Sequence, residues 1–315
     1  MSDIQPSYSQ VVADDEIDLK ELFMVLWSGK WLITAITGTA AVASVVIALM
    51  LPNIYTANAL LAPAEQSGGG MSALMQQYGG LASLAGVSLP GGEDGSRAQL
   101  GMQLMKSRAF TADFVERHDI LAELMAVESW DAGSGGIIFD SASYDAASKT
   151  WVREVEPPKS AEPSAQEAHK TFSQILGVSQ DKQTGYVTVS IEHQSPTVAA
   201  QWVNWLVEDV NAAVKAQDVA EAEKSIEYLR EQVTNTSLAD LQAVFFDLIQ
   251  SQTETVMLAE VRQEYVFKTI DPAVAPEEKS KPSRALICVL GTLLGGMLGV
   301  VIVLIRHYAR SESDV

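Results

Sequence analysis

The apolar positions of the chain are concentrated in two uninterrupted runs, one toward each end. The runs at residues 31–51 and 285–305 each hold 21 residues without a charged side chain. Because a helix of about 20 apolar residues crosses the hydrocarbon core of a bilayer, each run predicts a transmembrane helix. The first run begins late and follows an acidic leader, which favours an uncleaved anchor over a secretory signal.

Basic residues beside the two runs indicate how the chain crosses the membrane. Lys20 and Lys30 precede the first run, and no lysine or arginine follows it until Arg97. This asymmetry predicts a cytoplasmic N-terminus. Around the second run the count disagrees, since more basic residues precede it than follow it. The first span usually sets the orientation, so we keep the cytoplasmic N-terminus.

Two spans divide the chain into five segments. We expect a cytoplasmic leader at 1–30, transmembrane helices at 31–51 and 285–305, an outer domain at 52–284 and a cytoplasmic tail at 306–315. The leader and the tail are too short to bury a hydrophobic core. The function is therefore expected in the outer domain or within the bilayer.

Periodicity in the outer domain predicts a mixture of strands and helices. Alternating apolar positions predict strands, and apolar positions three to four residues apart predict helices. The expected elements are strands at 53–62 and 186–192, short helices within 74–89, a helix at 96–125 that begins at Ser96, a loop at 130–163 and a helix at 166–176.

The longest regular segment contains neither glycine nor proline. It runs from residue 197 to residue 270, and four weak helix formers interrupt it at 234–237. The pattern predicts a helical hairpin at about 197–264. Its two arms and the strand after them are expected at 197–233, 238–263 and 265–270, with that strand beside the one at 186–192.

Two apolar groups on this hairpin exceed the surface that a single partner helix covers. They could pack against the helix predicted at 96–125, or neighbouring subunits could cover them, and the sequence leaves both readings open. The upper group contains Phe245, Phe246, Leu248 and Ile249, and the lower group contains Trp202, Trp205, Leu206 and Val210.

The sequence contains no recognisable catalytic, cofactor-binding or metal-binding pattern. A net charge of −19 argues against nucleic acid as a partner, because phosphate binding needs clustered lysine and arginine. One cysteine excludes a multi-cysteine zinc site, and the four histidines are far apart in sequence. Gly68, Gly70 and Ala73 match a loose dinucleotide-binding pattern, but no strand–helix alternation surrounds them. We therefore expect no enzyme activity and no cofactor.

Small residues form a repeated pattern inside the two apolar runs. Gly291, Gly295 and Gly299 are spaced four residues apart, which places them on one helix face and lets a second helix approach closely. This doubled pattern predicts transmembrane helix packing. A weaker stripe of the same kind in the first run comprises Ala40, Ser44 and Ala48.

A proline-rich segment at 271–284 precedes the second apolar run. Its prolines are Pro272, Pro276 and Pro282. Proline favours an extended and stiff backbone, whereas a flexible linker is usually rich in glycine and serine. The segment is therefore expected to act as a stiff connector that fixes the approach of the outer domain to the second membrane helix.

Several short stretches, taken in their order along the chain, resemble the Wzz-type polysaccharide chain-length determinants, also called polysaccharide co-polymerases. The stretches are the leader 15–19 with Leu22 and Trp27, the segments 189–196 and 258–262, and 280–282 before the glycine-patterned second run.

The resemblance implies an α+β membrane protein in which two transmembrane helices flank a periplasmic α/β base with a long protruding helical hairpin. It implies a non-enzymatic homo-oligomer of the bacterial inner membrane, two-pass, with its bulk in the periplasm. Such proteins set the modal length of O-antigen or a related surface glycan, together with a Wzy-type polymerase and lipid-linked glycan. The short tail and the missing P-loop resemble the kinase-free type.

Three alternative functions stay open. The chain could be the transport or co-polymerase subunit of a capsule or exopolysaccharide system that works with a separate tyrosine kinase. It could be a two-span sensor, although a 10-residue tail would need a separate signalling partner. It could also be an enzyme that acts on glycan through essential carboxylates.

Overall fold

The computed structural model describes residues 19–64, 93–236 and 238–311, and these residues form two units. The helix-pair unit contains the described residues up to Pro52 and from Pro282 onward. The base unit contains the described residues of Asn53–Lys281. The short helices expected within 74–89 and the loose glycine pattern at 68–73 lie outside the described residues.

Three helices make up the helix-pair unit. Helix α1 spans Leu19–Ser28, α2 spans Lys30–Met50 and α9 spans Arg284–Ser311. The two apolar runs fall almost entirely within α2 and α9, because uninterrupted apolar residues without proline favour helix throughout. Helices α2 and α9 run antiparallel and pack along most of their length.

A four-stranded antiparallel sheet forms the floor of the base unit, in the order β6-β7-β1-β8. The bounds are β1 Tyr55–Pro63, β6 Leu176–Gln180, β7 Val187–His193 and β8 Phe267–Asp271. Every second residue of β7 is buried, as strand geometry requires of a sheet with one covered face. The strands predicted at 53–62 and 186–192 are confirmed.

The strand order differs from the sequence-based expectation. The strand predicted at 265–270 is present as β8, but it pairs with β1 and not with β7. The sequence missed β6, which joins β7 through a turn at 181–185 and occupies one of its edges. Since β6 and β1 occupy both edges of β7, β8 cannot pair with β7 and instead adds to the open edge of β1.

The single helix expected at 96–125 is three helices, α3 Glu93–Met105, α4 Arg108–Arg117 and α5 Leu121–Met125. Ser96 lies inside α3, so it is not the residue before the helix. The Ser107 hydroxyl accepts the Phe110 N–H at 3.2 Å and starts a new helix. Asp119 has a φ of 51°, which prevents α4 and α5 from joining.

The region expected to be a loop at 130–163 contains short strands, because elements of two to four residues leave no readable period. They are β2 Val127–Trp130, β3 Ile137–Phe139, β4 Tyr144–Asp145 and β5 Thr150–Trp151. After them, α6 Ala165–Ile175 confirms the predicted helix. Ser164 and Glu167 cap its start reciprocally, and Arg153 lowers the pKa of the Glu167 carboxyl to about 2.

Two long helices follow the sheet. Helix α7 spans Pro196–Asn235 and α8 spans Ala239–Val261, with the interruption where weak helix formers predicted it. Ser195 accepts the Val198 N–H at 3.4 Å, and Pro196 takes the first helical position. At 40 residues, α7 is about 60 Å long.

The first half of α7 lies over the sheet and forms the core with α4 and α6. Phe114, Phe172 and Trp202 are fully buried, and ring centroids of Phe114 and Phe172 are 5.5 Å apart. The buried amide of Asn211 accepts the N–H groups of Val266 and Phe267 and donates to the Phe267 carbonyl. These bonds tie α7 to the outer edge of β8.

The imidazole of His193 is buried beneath the start of α7. Its Nδ1 accepts the Ser195 N–H at 2.9 Å, so the neutral ring carries its proton on Nε2, which donates to the Glu123 carbonyl at 3.0 Å. Burial lowers the pKa of His193, because the charged ring would lose its hydration.

We expect this histidine to make the base unit less stable in mild acid. In the unfolded chain the His193 ring takes up a proton near pH 6.5, whereas in the folded protein it resists protonation. The contribution of His193 to the free energy of unfolding is therefore complete above that pH and is lost as the pH falls below it. Chemical denaturation of the full chain in detergent, between about pH 7 and pH 5, measures the effect. His193→Gln should flatten this slope, and equal slopes in variant and wild type would contradict the assignment.

Candidate anchoring and assembly surfaces

The three glycines of α9 face α2 directly. A Cβ at Gly291 would lie 2.5 Å from the Ser44 Cβ, and one at Gly295 would clash with the Ala40 Cβ. A Cβ at Gly299 would lie 3.2 Å from the Ile33 Cα. The glycines therefore let the two backbones approach closely. The structure brings Ala40 and Ser44 against them, and Ala48 is also buried.

Sequence reasoning missed a fourth close contact of this kind. Gly29 separates α1 from α2, and a Cβ there would lie 2.5 Å from the Val303 Cγ1. The lone glycine within a helical segment was the available signal. With Gly29, the tight packing of α2 on α9 extends to the junction with α1.

The outer surfaces of this helix pair are apolar and uncovered. In the described part of the chain, two helices are long and apolar enough to cross a membrane, at Lys30–Met50 and Arg284–His307, with mean hydropathies of 2.2 and 2.6. Only 11% and 17% of their most apolar windows is buried. A core helix of a water-soluble protein would be mostly buried, so these two helices differ from core helices and fit the expected membrane spans.

Four hydroxyl groups in these two helices donate to carbonyl groups of their own helix. Thr34, Thr39 and Thr292 each donate to the carbonyl four residues earlier, at 2.7 to 2.8 Å. Ser44 donates to the Ala41 carbonyl at 2.8 Å. A polar group without a partner is costly in hydrocarbon, so this pattern suits a membrane-spanning helix.

Aromatic residues cluster where α1 meets α2. The rings of Phe23 and Trp27 stack with centroids 5.9 Å apart, and the Lys30 ammonium lies 4.6 Å from the centre of the Trp27 ring. Trp31 is 79% exposed. Tryptophan and lysine are enriched at the boundary between lipid and water, and this cluster fits that boundary.

The proline-rich segment is held by hydrogen bonds inside the base unit. Asn204 accepts the Ala273 N–H at 3.1 Å and donates to the Ala273 carbonyl at 3.0 Å. Ile54 donates to the Lys281 carbonyl at 3.0 Å and accepts the Ser280 N–H at 2.8 Å. The Lys281 ammonium pairs with Glu192 at 2.7 Å. The beginning and the end of the base unit therefore lie side by side.

The three prolines themselves mark the path of this segment. Pro272 follows β8 directly and is exposed, whereas Pro276 and Pro282 are half-buried. Proline has no N–H to donate and cannot extend the sheet, so β8 ends before Pro272. A role of these prolines in fixing the membrane helix stays a prediction.

The two apolar groups of the hairpin have different environments. In the lower group, Trp202, Leu206 and Val210 are fully buried, and Trp205 stacks on His118 with centroids 4.2 Å apart. Trp205 therefore packs against the 96–125 region, as one of the two readings expected, whereas Trp202 packs against Phe172 of α6 and His193 of β7.

The upper group stays largely uncovered by the described part of the chain. Phe246 is 58% exposed and Leu248 is also exposed, while Phe245 and Ile249 are half-buried. Other exposed apolar side chains extend this surface along α8 and its start. We call the set the hairpin face, and it comprises Leu238, Leu241, Val244, Phe246, Met257 and Val261.

The polar clusters of the base unit have structural partners. Asp209, on the otherwise apolar face of α7, binds Arg117 at 3.0 Å and His118 at 2.9 Å. His169 contacts the Thr111 hydroxyl at 3.1 Å and His193 contacts backbone, so these histidines do not converge. Among the described residues, no group of histidine, cysteine, aspartate and glutamate is arranged to hold a metal ion.

Two protein-family models match parts of the chain. The model of the Wzz family, "Chain length determinant protein", matches residues 15–118. The model named GNVR, "G-rich domain on putative tyrosine kinase", matches residues 239–308. No curated protein sequence matches the chain.

Two solved structures match the chain at low sequence identity. One is a full-length bacterial polysaccharide co-polymerase, at 14% identity, covering 93% of this chain and 99% of the other, with a TM-score of 0.41. The other is a fragment of WzzB, a polysaccharide co-polymerase from Salmonella Typhimurium, at 13% identity, covering 73% and 100%, with a TM-score of 0.30.

We expect Gly295→Leu to loosen the helix pair. The added side chain would be forced into Ala40, and such overpacking costs about 1–3 kcal/mol. Gly38→Leu is the matched control, because a Cβ at Gly38 has no neighbour within 4 Å among the described residues. Thermal unfolding in a mild detergent, followed by helical circular dichroism, should show a lower midpoint for Gly295→Leu alone. Equal midpoints for the two variants would refute the packing role.

Proposed function

We propose that the chain is a member of the Wzz family, whose model matches residues 15–118, and that it sets the modal length of O-antigen or a related surface glycan. It does so as a non-enzymatic regulator of polymerisation. Two features of the molecule support this proposal. The helix pair and the hairpin face are apolar surfaces suited to packing, and the buried polar side chains form hydrogen bonds with one another and with the backbone.

The proposal places the protein in the bacterial inner membrane as a two-pass protein. Segments 31–51 and 285–305 span the bilayer, and segment 52–284 lies in the periplasm. The observation that carries this placement is the apolar outer surface of α2 and α9, combined with their close packing through glycine. Segments 1–30 and 306–315 would then be cytoplasmic.

Self-association follows from the hairpin face. Exposed apolar side chains this numerous along one helix are rarely left in water, and a second copy of the hairpin offers a matching surface. A closed ring of such copies would hold the hairpins at one height above the membrane. A Wzy-type polymerase bound to this scaffold would extend lipid-linked glycan within a fixed geometry.

A second candidate function has its own observation. The match to a domain found on putative tyrosine kinases covers 239–308, which includes α8, β8, the proline-rich segment and most of α9. This favours a transport or co-polymerase subunit of a capsule or exopolysaccharide system with a separate tyrosine kinase. The two candidates differ in which polysaccharide changes when the protein is removed.

Deleting the gene should convert a modal ladder of surface polysaccharide into an unregulated one. Gel electrophoresis of lipopolysaccharide measures this directly, and the wild-type gene on a plasmid should restore the ladder. An unchanged ladder with altered capsule or exopolysaccharide would favour the kinase-linked candidate. If every glycan of the host kept its length distribution, both candidates would be wrong.

We expect Phe246→Glu to reduce the oligomer mass of the full chain in detergent. The charge would replace an exposed apolar side chain at the centre of the hairpin face, and burying an unpaired charge between copies is strongly unfavourable. Ser251→Glu, an exposed position on the same helix, is the matched control. Light scattering should show smaller assemblies for Phe246→Glu only, and a native-size assembly would refute this interface.

A further inference from the structure

An open groove of about 750 Å³ lies between the two arms of the hairpin. Gln217, Glu221, Lys224 and Tyr228 line it from α7, and Gln252 lines it from α8. The four α7 residues are spaced four, three and four apart, so they share one helix face. They span about 17 Å along α7, which makes the groove elongated.

Most polar side chains in this groove have no bonding partner among the described residues. Gln217, Glu221, Lys224 and Gln252 form no side-chain hydrogen bond or ion pair with another described residue. Elsewhere on the hairpin, comparable groups are engaged, as Gln242 bonds to the Val233 and Thr236 carbonyls. The groove therefore presents amide, carboxylate and ammonium groups to an external ligand.

An aromatic side chain, Tyr228, stands at one end of this row of polar residues, and Ala220, Leu229 and Leu248 add apolar surface to the groove. Tyr228 is 62% exposed, and its ring has no aromatic partner within the described residues. A ring in this position offers an apolar face for stacking and a hydroxyl for hydrogen bonding. Aromatic, amide and carboxylate groups together are the set that a sugar ring requires, since sugars have C–H faces and hydroxyl edges.

The charge of the groove also differs from that of the molecule. The chain has a net charge of −19, whereas the groove is lined by one glutamate and one lysine. Within the groove, the charges of Glu221 and Lys224 offset one another. The lining provides no cluster of positive charge for a nucleic acid.

We infer that this groove binds a short segment of the polysaccharide whose length the protein sets. Tyr228 stacks on a sugar ring, and Gln217, Glu221 and Gln252 bond to hydroxyl groups along the segment. The volume is that of a small-ligand site and accommodates a few sugar rings. This inference rests on the proposed function, because it identifies the ligand as the product of the same polymerisation.

The test uses the full chain in detergent and short oligosaccharides released from the host's own surface polysaccharide. Titration calorimetry should detect binding, and Tyr228→Ala should weaken it about tenfold. Tyr186→Ala is the matched control, since Tyr186 is also exposed but lies outside the groove. Both variants should keep the wild-type oligomer mass, so that lost binding reports the groove itself.

Three results would overturn the assignment. They are absence of binding to the wild type, equal affinity of Tyr228→Ala and wild type, and cross-linking between copies through Tyr228→Cys. The last experiment uses a Cys288→Ser background, because Cys288 is the chain's one natural cysteine. Cross-linking there would show that a second copy occupies the groove.

The outcome is separable from that of the proposed function. If deletion of the gene abolishes the modal ladder but the oligosaccharide does not bind, only the groove assignment fails. If deletion leaves the ladder of every glycan unchanged, the proposed function fails whatever the binding result. If Tyr228→Ala shifts the modal ladder and Tyr186→Ala does not, the result would support both the groove assignment and the proposed function.

Discussion

Main-chain hydrogen bonds between Ile54 and the segment 280–281 hold the two ends of the base unit together, and the rest of its topology depends on them. Strand β1 leaves from this point and β8 returns toward it, so the two strands pair antiparallel. The hairpin of α7 and α8 lies between β7 and β8 in sequence, and it must bring the chain back to the same place. The long hairpin is compatible with a fixed base because both ends of the hairpin are connected to strands of the sheet.

Side-chain hydrogen bonds secure that return. The amide of Asn211 satisfies backbone groups at the start of β8, and the amide of Asn204 does the same at Ala273. Buried backbone groups without partners are costly, so each amide fixes where the chain passes beneath α7. The polar residues buried in the base are thus explained by the path of the chain. The proposed function therefore rests on surfaces, namely the apolar sides of the helix pair, the hairpin face and the groove beside Tyr228.

The helix pair follows the opposite principle. In α2 and α9 the buried contact is made by small residues, and the large apolar side chains point outward. A lipid-facing pair has little to gain from burying leucine, because lipid is as apolar as a protein core. Close backbone approach at Gly291, Gly295 and Gly299 provides the contact instead. The same inverted arrangement would be unstable in water, which is why the proposed membrane placement depends on it.

The sequence by itself determined the features that arise within a few consecutive turns or residues. The apolar runs, the four-residue glycine spacing, the alternation in β7 and the interruption near residue 236 are all local patterns, and local periodicity is what a sequence displays. Only the tertiary structure decided that β8 pairs with β1, that Ser107 and Asp119 divide a helical region in three, and that Gly29 meets Val303. It also decided which apolar group of the hairpin is covered. These outcomes depend on which strand edge or helix face remains available after other elements have packed. That availability is set by contacts between residues far apart in the chain.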